Sequence, residues 1–424
     1  IARAQDNPSI ASLYLDPESY SFSGSTNIQF GHTNTPAGEE MGIYATIPLP
    51  NIKIDNTAGS NPTLKQWTIP LTVTNNLEID AGATYDANGL DLTLQGDLTV
   101  NGDFLANSNT TIFNSATGQQ IVGSPVFYNL TKNASGTLNL NNDITIENIL
   151  DASDGILSDN GNDITVMGDV YFDATHQWGG AGNGISLEGT ATQNLYTSGT
   201  FGKLSVNNSD GIFVPEGYTV SINDALQLES GVLDIGKNLL ELDEGAVIIE
   251  ANAFSENNMI QTNISFTDAG VKKFYPAIVP ADNYNFTYPI GSEGKYTPVS
   301  FSINEKDAGG YIRVKAANEM HPTIINDDEP CQEIHDTSNV LKYPWLFEAS
   351  SISNFTGSVN MKYYNEDYQL DNSKTGTSYT VNDYITARLL LGSTSWNKFG
   401  PDDFDENNQI LVFDFSSTDD DGIS

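Results

Sequence analysis

The sequence predicts an all-β protein, a right-handed parallel β-helix followed by an antiparallel β-sandwich module, and three observations carry that prediction. Between residues 64 and 250 apolar residues recur two apart in short runs. Asn, Asp, Gly, Ser and Thr punctuate those runs, and whole blocks of the pattern return at a near-constant distance. No convincing helical period interrupts them.

The alternating runs place the strands. Leu71 to Val73, Leu92 to Leu94, Leu98 to Val100, Leu138 to Leu140, Ile144 to Ile146, Ile164 to Val166, Val220 to Ile222 and Leu240 to Leu242 each set two apolar side chains on one face of an extended chain. Thr, Asn, Ser or Glu occupies the other face.

The blocks return in register. Asn88 to Leu98 aligns with Asn160 to Val170 at an offset of 72. Phe113, Gln120, Ile121, Phe127 and Leu130 align with Leu187, Asn194, Leu195, Phe201 and Leu204 at 74, and Ile144, Ile146, Gly155 and Leu157 with Val220, Ile222, Gly231 and Leu233 at 76. A unit of that length made only of short strands cannot bury a face alone, so nearly three tandem copies must stack. Within a copy, strand and turn return about every 20 residues, which suits one coil of a parallel β-helix. Coils ~4.8 Å apart stack their aliphatics inward, while Gly and Asn at the corners supply positive φ. Residues 61–275 then give roughly ten coils, on the order of 50 Å. A β-propeller competes, but its blades repeat at ~40–50 residues.

The flanks differ in texture. Residues 1–60, with Pro36, Pro48 and Pro50 among Gly and Asn, read as extended segments that cap the first coil, because an exposed β-helix end is an open sheet edge. Residues 276–424 carry more Pro and aromatics, with longer strands at Val299 to Ile303, Tyr311 to Lys315, Ser358 to Tyr364 and Ile410 to Phe415. These suggest the sandwich, ending in an acidic linker.

Composition excludes several functions. The 424 residues hold 55 Asp and Glu against 17 Lys and Arg, a formal charge of -38, and only Arg3, Arg313 and Arg388 supply guanidinium groups. Nucleic acid and anionic membranes are therefore poor partners. No apolar run approaches the ~18 residues of a membrane helix. Cys331 is the only cysteine, so neither an internal disulfide nor a thiolate cluster can form. The opening Ala2-Arg3-Ala4 has the small-residue spacing of a cleaved signal, without the apolar region that decides it.

The candidates for chemistry are few. Asp97 and Asp169 fill equivalent Gly-Asp positions and read as turn formers rather than acid catalysts. Lys65, Lys132, Lys203 and Lys237 fall on different coils. His176 and Trp178 coincide with Gly179 and Gly180, either as a carbohydrate platform or as a wide bend. His321 and His335 flank Asp327, Asp328, Glu329 and Cys331, at a spacing that fits no zinc pattern. Calcium is the more credible ion: Asp402, Asp403 and Asp405 gather hard oxygen donors in one loop, and Asp419 to Asp421 repeat the theme. The bland alternative is a hydrated linker. No nucleophile elbow, P-loop or dinucleotide fingerprint occurs.

At Tyr288-Pro289-Ile290-Gly291 followed by Tyr296-Thr297-Pro298-Val299, the chain resembles a junction found in large surface proteins of the Bacteroidota. There a β-helical stretch passes into a β-rich module through such segments. Tyr343-Pro344-Trp345, Met361 to Asp367, and the turns Gly118 to Ile121 and Thr192 to Leu195, each followed by Phe-x-x-Leu, are similar to other parts of these proteins. The resemblance implies export by the type IX secretion machinery, an extracellular location on the outer cell surface, and a role in gliding or attachment. It carries over no catalytic residue.

The expected function is thus non-enzymatic: a stalk or adhesin segment of a longer secreted surface protein, with surface polysaccharide or other surface proteins as partners. The alternative is a carbohydrate-binding or polysaccharide-degrading β-helix.

Overall fold

The computed structural model describes residues 12–23, 26–263, 267–277, 284–305, 309–318, 344–352, 356–364, 367, 386–389, 396–399, 403–405 and 407–416. The protein is all-β, with a parallel β-solenoid of about 11 turns and no α-helix among the described residues. Contacts divide the chain into two compact units, residues 1–212 with 224–227, and residues 213–223 with 228–424.

In the first unit, columns of parallel strands form the sides of the coil. One column runs through Leu13–Leu15, Glu40–Ala45, Thr63–Gln66, Thr84–Asp86 and Asp103–Leu105. A second contains Asn27–Phe30, Asn51–Ile54, Leu77–Ile79, Leu98–Val100 and Gln119–Val122. A third contains Leu71–Val73, Leu92–Leu94 and Thr110–Phe113, then continues through Leu130, Leu150, Val170 and Leu195. Parallel pairing is already present at Leu13–Leu15, so the segment expected as a cap contributes coils of its own.

The alternation works as the sequence implies. Leu77, Leu98 and Ile121 stack in register and are fully buried, as are Leu92, Leu150 and Val170 in their column. Each such side chain contributes roughly 1.5–3 kcal/mol of burial. Asn88 and Asn160, equivalent in the repeat, both take positive φ, 54° and 52°, at matching corners. At Gly123 (φ 93°) a Cβ would lie 2.0 Å from the Val100 carbonyl oxygen, so only glycine lets the chain turn against the coil below.

The repeat has a property that its spacing does not disclose. Leu92 lies in the third column, whereas its counterpart Ile164 pairs with Ile144 and Ile185 in a different one. Leu98 lies in the second column, yet its counterpart Val170 lies in the third. Successive copies are therefore rotated by one side of the coil. The donor contacts at the turn are nonetheless repeated. Buried Gln119 donates Nε2 to Leu94 O and Gly96 O at 3.0 and 2.7 Å, and buried Gln193 donates to Val166 O and Gly168 O at 3.0 and 2.6 Å. The sides are interchangeable to the sequence because in each copy the same side-chain donor satisfies corner carbonyls of the coil before.

The second unit has its own coils and then two antiparallel layers. Thr219 to Ile222 pairs in parallel with Leu239–Leu242, which pairs with Gly270 to Lys273. Leu233–Gly236 pairs with Ile260–Thr262, which pairs with Ile290 and Gly291. One antiparallel layer comprises Gly270–Tyr275, Gly310–Ala316 and Trp345–Ser350. The other comprises Tyr284–Tyr288, Val299–Glu305, Thr356–Lys362, Ile410–Ser416 and Asp403–Asp405. Phe301 meets Phe347 edge-on at 5.6 Å and Phe286 meets Tyr275 at 6.4 Å, so the layers share a core. Thr386–Leu389 and Trp396–Phe399 form a separate antiparallel pair.

Candidate functional site

The strand Gly270–Tyr275 belongs to both architectures. One edge pairs in parallel with Leu239–Leu242, the last coil on that side. The other edge pairs antiparallel with Gly310–Ala316, so Val271 faces both Leu240 and Val314. Solenoid and sandwich are thus one hydrogen-bonded sheet at this point.

The residues that carry the sequence resemblance build this joint. Tyr288 closes a sandwich strand, Pro289 crosses over, and Ile290 opens a solenoid rung. Pro289 has no N–H to leave unpaired in the crossover, and its carbonyl accepts Ile260 N at 2.9 Å. Gly291 is required by contact: a Cβ there would lie 2.0 Å from Lys295 O and 2.5 Å from Met259 Sδ. Trp345 Nε1 donates to Thr297 O at 3.2 Å, Tyr364 Oη donates to Tyr296 O at 3.0 Å, and Lys295 pairs with Asp367. Thr262 Oγ1, on the rung, donates to Ala316 O in the sandwich at 2.9 Å.

Polar groups are buried at its centre. Lys273 is fully buried and donates to Asp243 O and Glu244 O at 2.6 and 2.7 Å, beside the rings of Tyr275 and Phe286. Burial pulls its ammonium down to about 8, against the opposing pull of the Asp243 and Glu244 carboxylates. The same burial pushes the Tyr275 and Tyr288 hydroxyls far above the ordinary tyrosine range. Buried lysines cap carbonyls in the first unit as well, Lys132 at Asp154 O (2.7 Å) and Lys203 at Gly182 O (2.8 Å). These lysines satisfy the fold. The sequence marked Lys132 and Lys203 only by their spread over different coils and did not mark Lys273, since nothing local shows a lysine as pointing inward.

The other predicted residues separate. Asp97 Oδ1 accepts Gln120 N at 2.9 Å and Asp169 Oδ1 accepts Asn194 N at 2.8 Å, so both tie one coil to the next through the same bond. His176 points into the core, where its Nε2 lies 3.0 Å from Asp159 Oδ2, and Asp159 Oδ1 accepts the N–H groups of Gly161 and Gly179. Trp178 turns away, donating Nε1 to Ala181 O at 2.6 Å under the Lys203 ammonium. His176 and Trp178 therefore do not share a platform: two residues apart they would face one side of a continuous strand, but the strand Thr175–Gln177 ends before Trp178, which follows the bend toward Ala181.

Among the calcium candidates, Asp405 accepts Asn407 N and Asn408 N, both at 3.0 Å, and Asn408 Nδ2 at 2.6 Å. These bonds hold its carboxyl below the usual range and close a hairpin turn. Asp403 lies in the adjoining strand, and Asp402 falls outside the described residues, as do Asp419 to Asp421 and the His321 to His335 segment. Among the described residues no three His, Cys, Asp or Glu side chains converge as a metal site.

A polar recess of about 250 Å³ in the second unit is lined by Phe213, Asp234, Lys237, Gln261, Asn263 and Glu293. Its acids are engaged locally: Asp234 accepts Gly236 N and Gln261 Nε2, both at 2.9 Å, and Glu293 accepts Asn318 Nδ2 at 2.7 Å.

Acids and aromatics do meet on one outward ladder, but elsewhere. Asp151, Tyr171 and Tyr196 follow one another in register in successive coils. Comparison of the chain with known protein families, curated proteins and solved structures gives no match.

Proposed function

We propose that the chain is a non-enzymatic segment of a secreted surface protein, exported by the type IX secretion machinery and acting as a stalk that carries a β-sandwich module for attachment or gliding. The observation that supports this most is the shared strand Gly270–Tyr275. A stalk must pass tension to the module it carries, and a strand bonded along both edges passes it through backbone hydrogen bonds rather than through a flexible tether. The joint is assembled from the segments that resemble those surface proteins, which adds to the export reading.

The test is made in the source bacterium. Antibody against the chain is expected to label intact cells, labelling is expected to vanish when the secretion machinery is inactivated, and deletion of the gene is expected to reduce surface attachment or spreading. Label confined to lysed cells, together with unchanged attachment and spreading, overturns the proposal.

A further inference from the structure

Two pairs of tyrosines stand on the outside of the first unit in one recurring arrangement. Tyr14 and Tyr44 are opposite each other on paired strands with rings 4.5 Å apart and 3° from parallel. Tyr171 and Tyr196 do the same at 4.5 Å and 5°. Two residues on, each pair is accompanied by an aspartate on one strand and a hydroxyl residue on the next. Asp16 Oδ1 accepts Thr46 Oγ1 at 2.8 Å, and Asp173 Oδ1 accepts the backbone N–H of Ser198 at 2.9 Å. Tyr14 is 55% exposed and Tyr171 41%.

Inheritance from the tandem repeat does not explain the arrangement. The positions matched to Tyr171 and Tyr196 in the preceding copy are Thr99 and Val122, and the two tyrosine pairs lie in different columns. Folding does not demand it either. The outward position of the Tyr171 column is Thr72, Thr93, Ile112, Thr131 and Asp151 in earlier coils. An exposed cross-strand aromatic pair adds only about 0.2–1 kcal/mol. A flat aromatic surface beside a carboxylate and a hydroxyl is the chemistry that recognises a sugar ring: C–H groups pack on the ring, and hydroxyls donate to the carboxylate.

We propose that these two tyrosine–aspartate arrangements are binding subsites for a neutral polysaccharide. Tyr171 is followed down its column by Asp151, whose short side chain leaves one rung for a pyranose to occupy against the tyrosine, with Asp151 and Asp173 as hydroxyl acceptors. The net charge of -38 disfavours uronic-acid or sulfated chains and nucleic acid. Subsites on different sides of one unit engage two glycan chains or two stretches of one, so weak contacts add by avidity. This inference goes beyond the stalk reading and stands or falls without it.

The test titrates soluble hexasaccharides of β-1,4-glucan, β-1,4-mannan, β-1,4-xylan and β-1,3-glucan into the full chain by calorimetry. At least one is expected to bind at two sites. Tyr171→Ala is expected to leave one site, Tyr14→Ala with Tyr171→Ala none, and Asp173→Asn to weaken its site about tenfold. Tyr171→Trp, which keeps a ring in place, is expected to retain binding and covers the case in which Tyr171→Ala fails to fold. The proposal is overturned if none of the four sugars binds, if binding survives in the double variant, or if alginate or a peptide proves to be what occupies the tyrosines.

Discussion

The hydroxyls of Tyr275 and Tyr288 lie 3.1 Å apart inside the joint, and Tyr288 Oη donates a hydrogen bond to the carbonyl of Ile312 at 2.9 Å. One hydroxyl thus ties the strand shared with the solenoid to both layers of the sandwich. Tyr288→Phe removes the buried bonds to the Ile312 carbonyl and the Tyr275 hydroxyl and is expected to cost about 1–3 kcal/mol. The measurement is a shift in denaturation midpoint of the second unit at unchanged m-value, and a shift within error removes the hydroxyl from the joint's energetics.

Gln119 and Gln193 make the same pair of donor contacts in two copies. Replacing either by Leu removes the side-chain donor from a corner carbonyl, Gly96 O or Gly168 O, while Leu94 O and Val166 O keep the backbone N–H of Asn114 and Glu188. Each substitution is expected to destabilise the first unit by about 1–3 kcal/mol, and the loss is expected to be larger at Gln193, whose Oε1 also accepts Gly189 N and Asn208 Nδ2. Equal losses in chemical denaturation would show that those two extra bonds contribute nothing.

Alkaline pH should act on the second unit in two opposed ways. Below about 8 Lys273 is protonated whether the chain is folded or not, and the folded state carries the cost of burying that charge. Between about 8 and the unperturbed value of 10.5 the folded chain releases the proton while the unfolded chain keeps it, so stability rises with pH. Lys315, also lowered by burial, acts in the same direction. Above about 10 the unfolded chain ionises tyrosines that Tyr275 and Tyr288 keep protonated when folded, and stability falls. Melting temperature is expected to climb from pH 8 toward 10 and then drop, with the climb reduced in Lys273→Met. A monotonic fall from pH 8 in both proteins contradicts this assignment.

Gly291→Ala drives a methyl into Lys295 O at the crossover. The expected loss is about 1–3 kcal/mol from overpacking, read in the second unit with the first unit's transition unmoved. Equal loss in both units would mean that the glycine serves more than the joint.

Much of this was legible in the chain. Runs such as Leu98 to Val100 state which side chains go inward, because a period of two has one meaning on a pleated strand, and Asn88 and Asn160 mark corners because positive φ is costly for most residues. The acidic residues divided only in part as their positions suggest: Asp405 closes a turn through local hydrogen bonds, whereas Asp97 and Asp169 bond across to the next coil, at Gln120 N and Asn194 N. The inward lysines were not legible. Lys273 sits between Lys272, which pairs with Glu241 at 2.8 Å, and Phe274, and only the pairing register decides which of the two lysines is buried. The tyrosine pairs were hidden for the same reason: Tyr171 and Tyr196 are 25 residues apart and become neighbours only when their coils stack in register.

The sequence by itself determined that this protein is a stacked array of short strands with satisfied corners, since alternation, turn residues and repetition are local properties. The tertiary structure alone decided that successive copies are rotated by one side, that solenoid and sandwich share the strand Gly270–Tyr275, and which outward residues meet. Those outcomes depend on register between coils, and register is set by how many residues each corner takes to turn, a sum over the whole chain that no single motif records.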